Sequence, residues 1–175
     1  QRAGADRRQP DWTKQGRQFA VMDAKGTAAA FTGPKATPWA GHKGGRYCTA
    51  QGNILAGEAV VDAMVGAFEN TTGHLSLRLL AALEAGQAKG GDTRGMQSAA
   101  MIVTRALGGA GGFSDRVIDI RVDDSKTPLP ALRHLLDLYD AGQMITEANR
   151  QLTAGDAAAA LRTATAAKDK VPDND

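Results

Sequence analysis

The chain has 175 residues, 42% hydrophobic and 23% charged, with 21 Lys and Arg set against 19 Asp and Glu. That is room for one ordinary domain and a small appendage, and the composition is that of a folded chain, so multidomain enzymes and long repeat arrays are excluded. No apolar run approaches the roughly 18 to 20 residues of a membrane span, and the near-balanced charge gives no footprint for nucleic acid.

Only eight residues are aromatic, while Ala and Gly abound, so close backbone approach has to set the packing. The lone Cys48 cannot form an internal disulfide, and His42, His74 and His134 are dispersed, so no metal site and no cofactor are expected. The chain starts at Gln1 without an initiator Met or a leader, as if inside a longer gene product. The compartment is therefore left open between cytoplasm and periplasm.

In chain order, residues 1–15 form a polar arm whose basic residues are interleaved with Asp6 and Asp11. Gly16–Asp23 and Thr27–Phe31 are strand-like on either side of Ala24-Lys-Gly26, the pattern of a β-hairpin. Gly33, Pro34, Pro38 and Gly41 make 32–45 a loop carrying Trp39, and a strand follows at Arg46–Gln51. Helical spacing covers 57–70, through Val60, Val61, Met64 and Phe68. It covers 72–85 as well, through Leu75, Leu79, Leu80 and Leu83, with Thr72 as N-cap and Gly86 as stop. Met96–Arg105 reads as a strand buried on both faces, and Arg116–Asp123 as a strand with one wet face.

Thr127-Pro128 opens a helix, and the composition change after Ala141-Gly142 predicts a break there. Two Ala-rich helices, about 143–153 and 156–169 and closed by Pro172, resemble one tetratricopeptide-type helix pair. The predicted organisation is an arm over 1–15, a domain over 16–140 and a helical extension over 141–175. Hairpins flanking a helix pair give an α+β fold built on antiparallel sheets.

Chemistry-bearing residues are few. Gln51-Gly-Asn53 follows a strand end, where two amides can hold a substrate or donate to a developing oxyanion; equally, they can satisfy an irregular turn. Asp92 and Arg94 can pair at a site entrance or form a solvated surface pair. His42, beside Trp39 in the Gly/Pro loop, can bind a ligand or shuttle a proton, or bond locally, and Trp39 can serve equally as a loop anchor. Ser98 lacks a nucleophile-elbow context, and Cys48 reads as a small core residue.

Arg17-Gln-Phe-Ala-Val-Met-Asp23, Ala30-Phe-Thr-Gly33, Pro38-Trp-Ala-Gly-His42, Gln51-Gly-Asn-Ile-Leu-Ala-Gly57, Gly91-Asp-Thr-Arg-Gly-Met-Gln-Ser-Ala-Ala100 and Arg121-Val-Asp-Asp124 occur in this order. Over about residues 16–140 they resemble the bacterial and archaeal family called domain of unknown function 1028, which is placed among proteins similar to N-terminal-nucleophile (Ntn) hydrolases. The resemblance implies a layered α/β/β/α sandwich of antiparallel sheets with a C-terminal α-helical hairpin. Family members carry further residues ahead of this point, including the first strands and the residue that an Ntn mechanism would use.

Such a hydrolase attacks with a Thr, Ser or Cys at the chain start, its own amine serving as base, and Gln1 offers neither hydroxyl nor thiol. The expectation is therefore part of an Ntn-type hydrolase of amide bonds whose nucleophile is not in this chain. Gln51 and Asn53 would be catalytic, and Asp92, Arg94, Trp39 and His42 would bind a small amide substrate. A homo-oligomer or a complex with a companion chain is expected. The alternative is a non-catalytic ligand-binding or assembly module.

Overall fold

The computed structural model describes residues 14–171. Most of the polar arm, residues 1–13, and the closing Pro172 lie outside the described residues. The chain divides between Met96 and Gln97 into two compact units. Together they hold three two-stranded antiparallel sheets and four α-helices, a mixed α+β architecture, among the described residues.

The first unit opens with the predicted hairpin, β1 (Gln18–Met22) paired to β2 (Ala28–Thr32) with Gln18 opposite Thr32 and Met22 opposite Ala28. The turn is fixed by Asp23, whose Oδ1 accepts from the backbone N–H groups of Lys25 and Thr27, both at 2.8 Å. Those donors hold the Asp23 carboxyl below its ordinary range, that of Thr27 foremost. Gly26 sits at φ 82°, a left-handed conformation that glycine adopts without steric cost.

A second hairpin replaces the predicted loop over 32–45. Its strands are β3 (Gly41–Gly45) and β4 (Cys48–Gly52), with Gly41 opposite Gly52 and His42 opposite Gln51. Gly41, Gly44 and Gly45 have low strand propensity, so β3 is invisible to a propensity argument. Tertiary contact makes it a strand: a Cβ on Gly45 would fall 2.8 Å from Cys48 Sγ and 2.7 Å from Glu69 Oε1, so only glycine lets the strand lie this close to the helix that follows.

That helix, α1 (Glu58–Asn70), buries Val60, Val61, Val65 and Phe68 on one face. Ala50 of β4, Val61 and Val65 form a core cluster against which Trp39, Cys48, Leu55 and Met64 pack. Helix α2 (Leu75–Ala88) is capped by His74 rather than by the predicted Thr72, since His74 Nδ1 accepts from Ser76 N. Gly86 does not stop it. The residue is buried inside the helix, where a Cβ would come within 2.7 Å of Met64 Cγ of α1.

The second unit pairs β5 (Ala99–Thr104) with β6 (Arg116–Val122). β5 is not buried on both faces: Met101 and Val103 are buried, but Ile102 is 55% exposed, because a two-stranded sheet has one face to cover. Helix α3 (Pro128–Thr153) contributes the buried Leu132 and Leu136, and Ile118 of β6 is buried too.

Helix α3 runs unbroken past Ala141-Gly142, where the composition change predicts an end. A lone glycine inside a helix costs only about 1 kcal/mol, less than a packed 26-residue helix can absorb. The turn comes later, at Ala154-Gly155, with Gly155 at φ 87° and Asp156 N donating to Gln151 O. Asp156 then caps α4 (Ala157–Lys170) by accepting from Ala159 N at 2.8 Å. Ala148, Ala160 and Ala167 are the buried residues of this helical hairpin, and Lys170 reaches both Asp137 and Asp140 at 3.4 Å. No helix among the described residues is long and apolar enough to cross a membrane.

Leu132 is fully buried. Leu132→Ala should cost about 2 to 5 kcal/mol, read as a lowered urea midpoint of the helical signal. Leu161→Ala, at a position 69% exposed, should leave that midpoint nearly in place.

Candidate functional site

The first unit's two hairpins meet at the rungs nearest their ends, and one side chain joins them. Gln18, half-buried at the start of β1, brings Nε2 within hydrogen-bond distance of three acceptors that share its two protons, Gly52 O at 2.9 Å, Gly41 O at 3.1 Å and Thr32 Oγ1 at 3.0 Å. Two backbone carbonyls accept only, so the amide orientation is fixed: nitrogen faces the second hairpin and Oε1 faces away. Asn53 Nδ2 donates to that Oε1 at 3.2 Å.

Thr32 continues the network. Its Oγ1 lies 2.9 Å from His42 Nδ1. Thr32 Oγ1 has one proton to give and two lone pairs, so it can donate to His42 Nδ1 or accept from Nδ1–H according to the histidine tautomer.

Asn53 itself is exposed and is held by its neighbours. Ile54 N donates to Thr37 O and Leu55 N to Trp39 O, both at 3.1 Å. On the other side, Ala56 N donates to Gly91 O and Thr93 N to Ile54 O, both at 2.9 Å. Segment 53–56 is thus pinned between the 37–39 loop and the 91–93 turn, and Ile54 takes φ 56°, an uncommon conformation for a β-branched residue.

An open depression of about 450 Å³ lies beside this network, lined by Thr32, Gly33, Pro34, Trp39 and His42 among others. Gly41 is required beneath it, because a Cβ there would collide with the Trp39 indole. Gly33 is required at its rim, where a Cβ would collide with the backbone of Lys14 and Gln15.

Of the sequence-predicted residues, Trp39 and His42 line the depression, and Asn53 joins His42 through Gln18 and Thr32. Gln51 is half-buried on β4 opposite His42, and its Oε1 is buried without a hydrogen-bond partner among the described residues. Asp92 and Arg94 pair with each other: Arg94 Nε meets Asp92 Oδ1 at 2.9 Å, and its Nη2 meets Oδ2 at 2.6 Å. They stand on the turn bonded to segment 54–56, so they adjoin Asn53 along the chain path.

Gln18 and Thr32 are the positions of this network that local residue chemistry does not single out. The signal available was a polar residue at the head of an otherwise apolar strand, and a Thr-Gly step at the end of its partner. Among the described residues no group of three His, Cys, Asp or Glu side chains could hold a metal ion.

The Arg94 side chain, followed by its backbone N–H, lowers the Asp92 carboxyl to about 2. A depressed carboxyl stabilises the fold above its unfolded value near 3.9, and that contribution fades as pH falls toward the folded value of about 2. Carbon-13 NMR titration of the Asp92 carboxyl should therefore give a midpoint near 2. In Arg94→Ala the midpoint should move up toward the ordinary carboxylate range; an unmoved midpoint would show that the guanidinium is not the cause.

A search of curated proteins finds no match to the chain. Among solved structures, the chain is similar to the crystal structure of protein SPO2555 from Silicibacter pomeroyi, described as DUF1028. The two share 35% sequence identity with a TM-score of 0.59, over 69% of this chain and 49% of that one. The chain thus spans about half the length of that protein. The model for the family of unknown function (DUF1028) matches residues 1–132, and the chain belongs to that family.

Proposed function

We propose that this chain supplies the substrate-binding part of an Ntn-type hydrolase of amide bonds, with the attacking group contributed by polypeptide outside this sequence. The observation that carries it is the Gln18–Thr32–His42 network beside the Trp39-lined depression, with Asn53 bonded to its far end. Asn53 Nδ2 spends one of its two protons on Gln18; the other, on an exposed side chain, is available to a carbonyl oxygen that gains negative charge during acyl transfer.

The layered α/β/β/α sandwich belongs to the same proposal. So does a companion chain or a second copy. Phe19, Val21 and Met22 of β1 are each more than half exposed, and a two-stranded sheet has open edges on which further strands can pair. The same exposed apolar side chains favour the second reading, a non-catalytic assembly module whose helical hairpin, similar to a tetratricopeptide pair, docks a partner.

Both are tested on the complete gene product of this chain. With an amide substrate panel, Asn53→Ala should lower kcat by about 10²- to 10³-fold while leaving the unfolding midpoint within about 1 °C per few tenths of a kcal/mol lost. Absence of turnover by the unaltered protein on every amide, together with a partner-dependent gain in stability, would replace the enzyme reading with the assembly one.

A further inference from the structure

The hydrogen-bond register of the first hairpin shows which backbone groups lie on the outer edge of β1. At the two ends of the ladder Gly33 N donates to Arg17 O and Asp23 N to Thr27 O. Both are rungs of the register that pairs Gln18 with Thr32, so the odd-numbered residues of β1 exchange hydrogen bonds with β2 and the even-numbered ones turn theirs outward. The outward N–H and C=O groups of Ala20 and Met22 meet no partner among the described residues. Natural sheets guard such an edge with Lys, Pro or a bulge. Gln18-Phe-Ala-Val-Met22 has none of these, and Phe19, Val21 and Met22 are each more than half exposed. The second hairpin lies closer to β2 than to β1 and leaves this edge clear.

The edge is complementary to itself. Turned about a two-fold axis at Ala20, a second β1 runs antiparallel to the first with Ala20 opposite Ala20 and Gln18 opposite Met22, so outward groups meet outward groups on each rung. Phe19 then stands opposite Val21 of the second copy on the non-hydrogen-bonded rungs, where side chains lie closest and an aromatic with a β-branched residue is a favourable pair. Phe31, whose ring stacks on Phe19 with centroids 5.1 Å apart, continues the same apolar strip across both copies. One position beyond the strand, the register sets Arg17 opposite Asp23 of the second copy, so opposite charges meet at both ends. A slip of two residues would set Arg17 opposite Lys25 or Val21 instead, which fixes the pairing.

We infer that the outer edge of β1 binds a second copy of this chain in antiparallel pairing centred on Ala20, joining two hairpins into one four-stranded sheet. This needs none of the hydrolase chemistry proposed above; of the companion chain and the second copy named there, it selects the copy.

Sedimentation of the 175-residue chain from micromolar to millimolar concentration should show a monomer–dimer equilibrium. Val21→Lys puts a charge at an exposed position opposite Phe19 of the second copy and enters twice, so it should raise the dimer Kd by about tenfold or more. Ile102→Lys, at an exposed position of β5, should leave the Kd in place. Amide exchange locates the contact: the N–H groups of Ala20 and Met22 should gain protection as the dimer forms, whereas those of Phe19 and Val21, bonded within the hairpin, should be protected in the monomer already.

A monomer throughout, a dimer unaffected by Val21→Lys, or a dimer whose Ala20 and Met22 amides stay unprotected would each overturn the inference. So would a monomeric complete gene product with those two amides protected at every concentration, which would give the edge to a strand of its own. A complete gene product that pairs through these amides but turns over no amide would uphold the inference while removing the hydrolase proposal, so the two fail separately.

Discussion

One carboxamide organises the first unit. Gln18 Nε2 spans the terminal rungs of two separate hairpins, and it can do so because the residues opposite it, Gly41 and Gly52, present carbonyls with no side chain in between. A two-stranded sheet in isolation is marginal. Joining two of them through a half-buried amide ties the weaker, glycine-rich hairpin to the stronger one. A backbone carbonyl left without its donor in such a place costs about 1 to 3 kcal/mol, so the polarity of this junction is expensive to reverse. The direction of the Asn53 hydrogen bond, from Nδ2 to Gln18 Oε1, follows from it.

Glycine has a second role in the same region. Gly41 admits the Trp39 indole, Gly45 admits Glu69 and Cys48, and Gly86 admits Met64 of the neighbouring helix. With few aromatic side chains available, the core gains density by bringing backbones together instead of by filling space with rings. The polar site is built on top of these approaches: the Trp39 face of the depression exists because Gly41 leaves room for it. Packing and the shape of the depression are therefore not separable here, and a substitution that adds a methyl group under Trp39 would alter both.

The Asp92–Arg94 pair contributes differently. The Arg94 side chain is 68% exposed and that of Asp92 29%, so solvent screens the pair and its mutual attraction adds little to global stability. Its effect is local: the carboxylate also accepts from Arg94 N at 2.8 Å, which closes the 92–94 turn. That turn donates to and accepts from segment 54–56 and so holds the strand end that carries Asn53. The pair shapes the site's border, and its guanidinium is spent on its own neighbour.

The amino-acid sequence by itself determined the first hairpin, β4, β5, β6, the two central helices, the start of α3 and α4, because each carries a local signal: alternation, helical spacing, a turn glycine or a proline at a helix start. It also marked Trp39, His42 and Asn53 as chemically able, and the chain's family from motifs spread across it. Tertiary structure alone decided the rest. β3 is a strand through its partner and a glycine contact, Gly86 is interior to a helix because Met64 lies over it, and α3 passes Gly142 because packing outweighs a small propensity cost. Gln18 and Thr32 become site residues only when the two hairpins abut. A polar side chain's role depends on which donors and acceptors lie within about 3 Å of it, and residues 14, 23 and 34 positions apart along the chain meet only in the folded molecule.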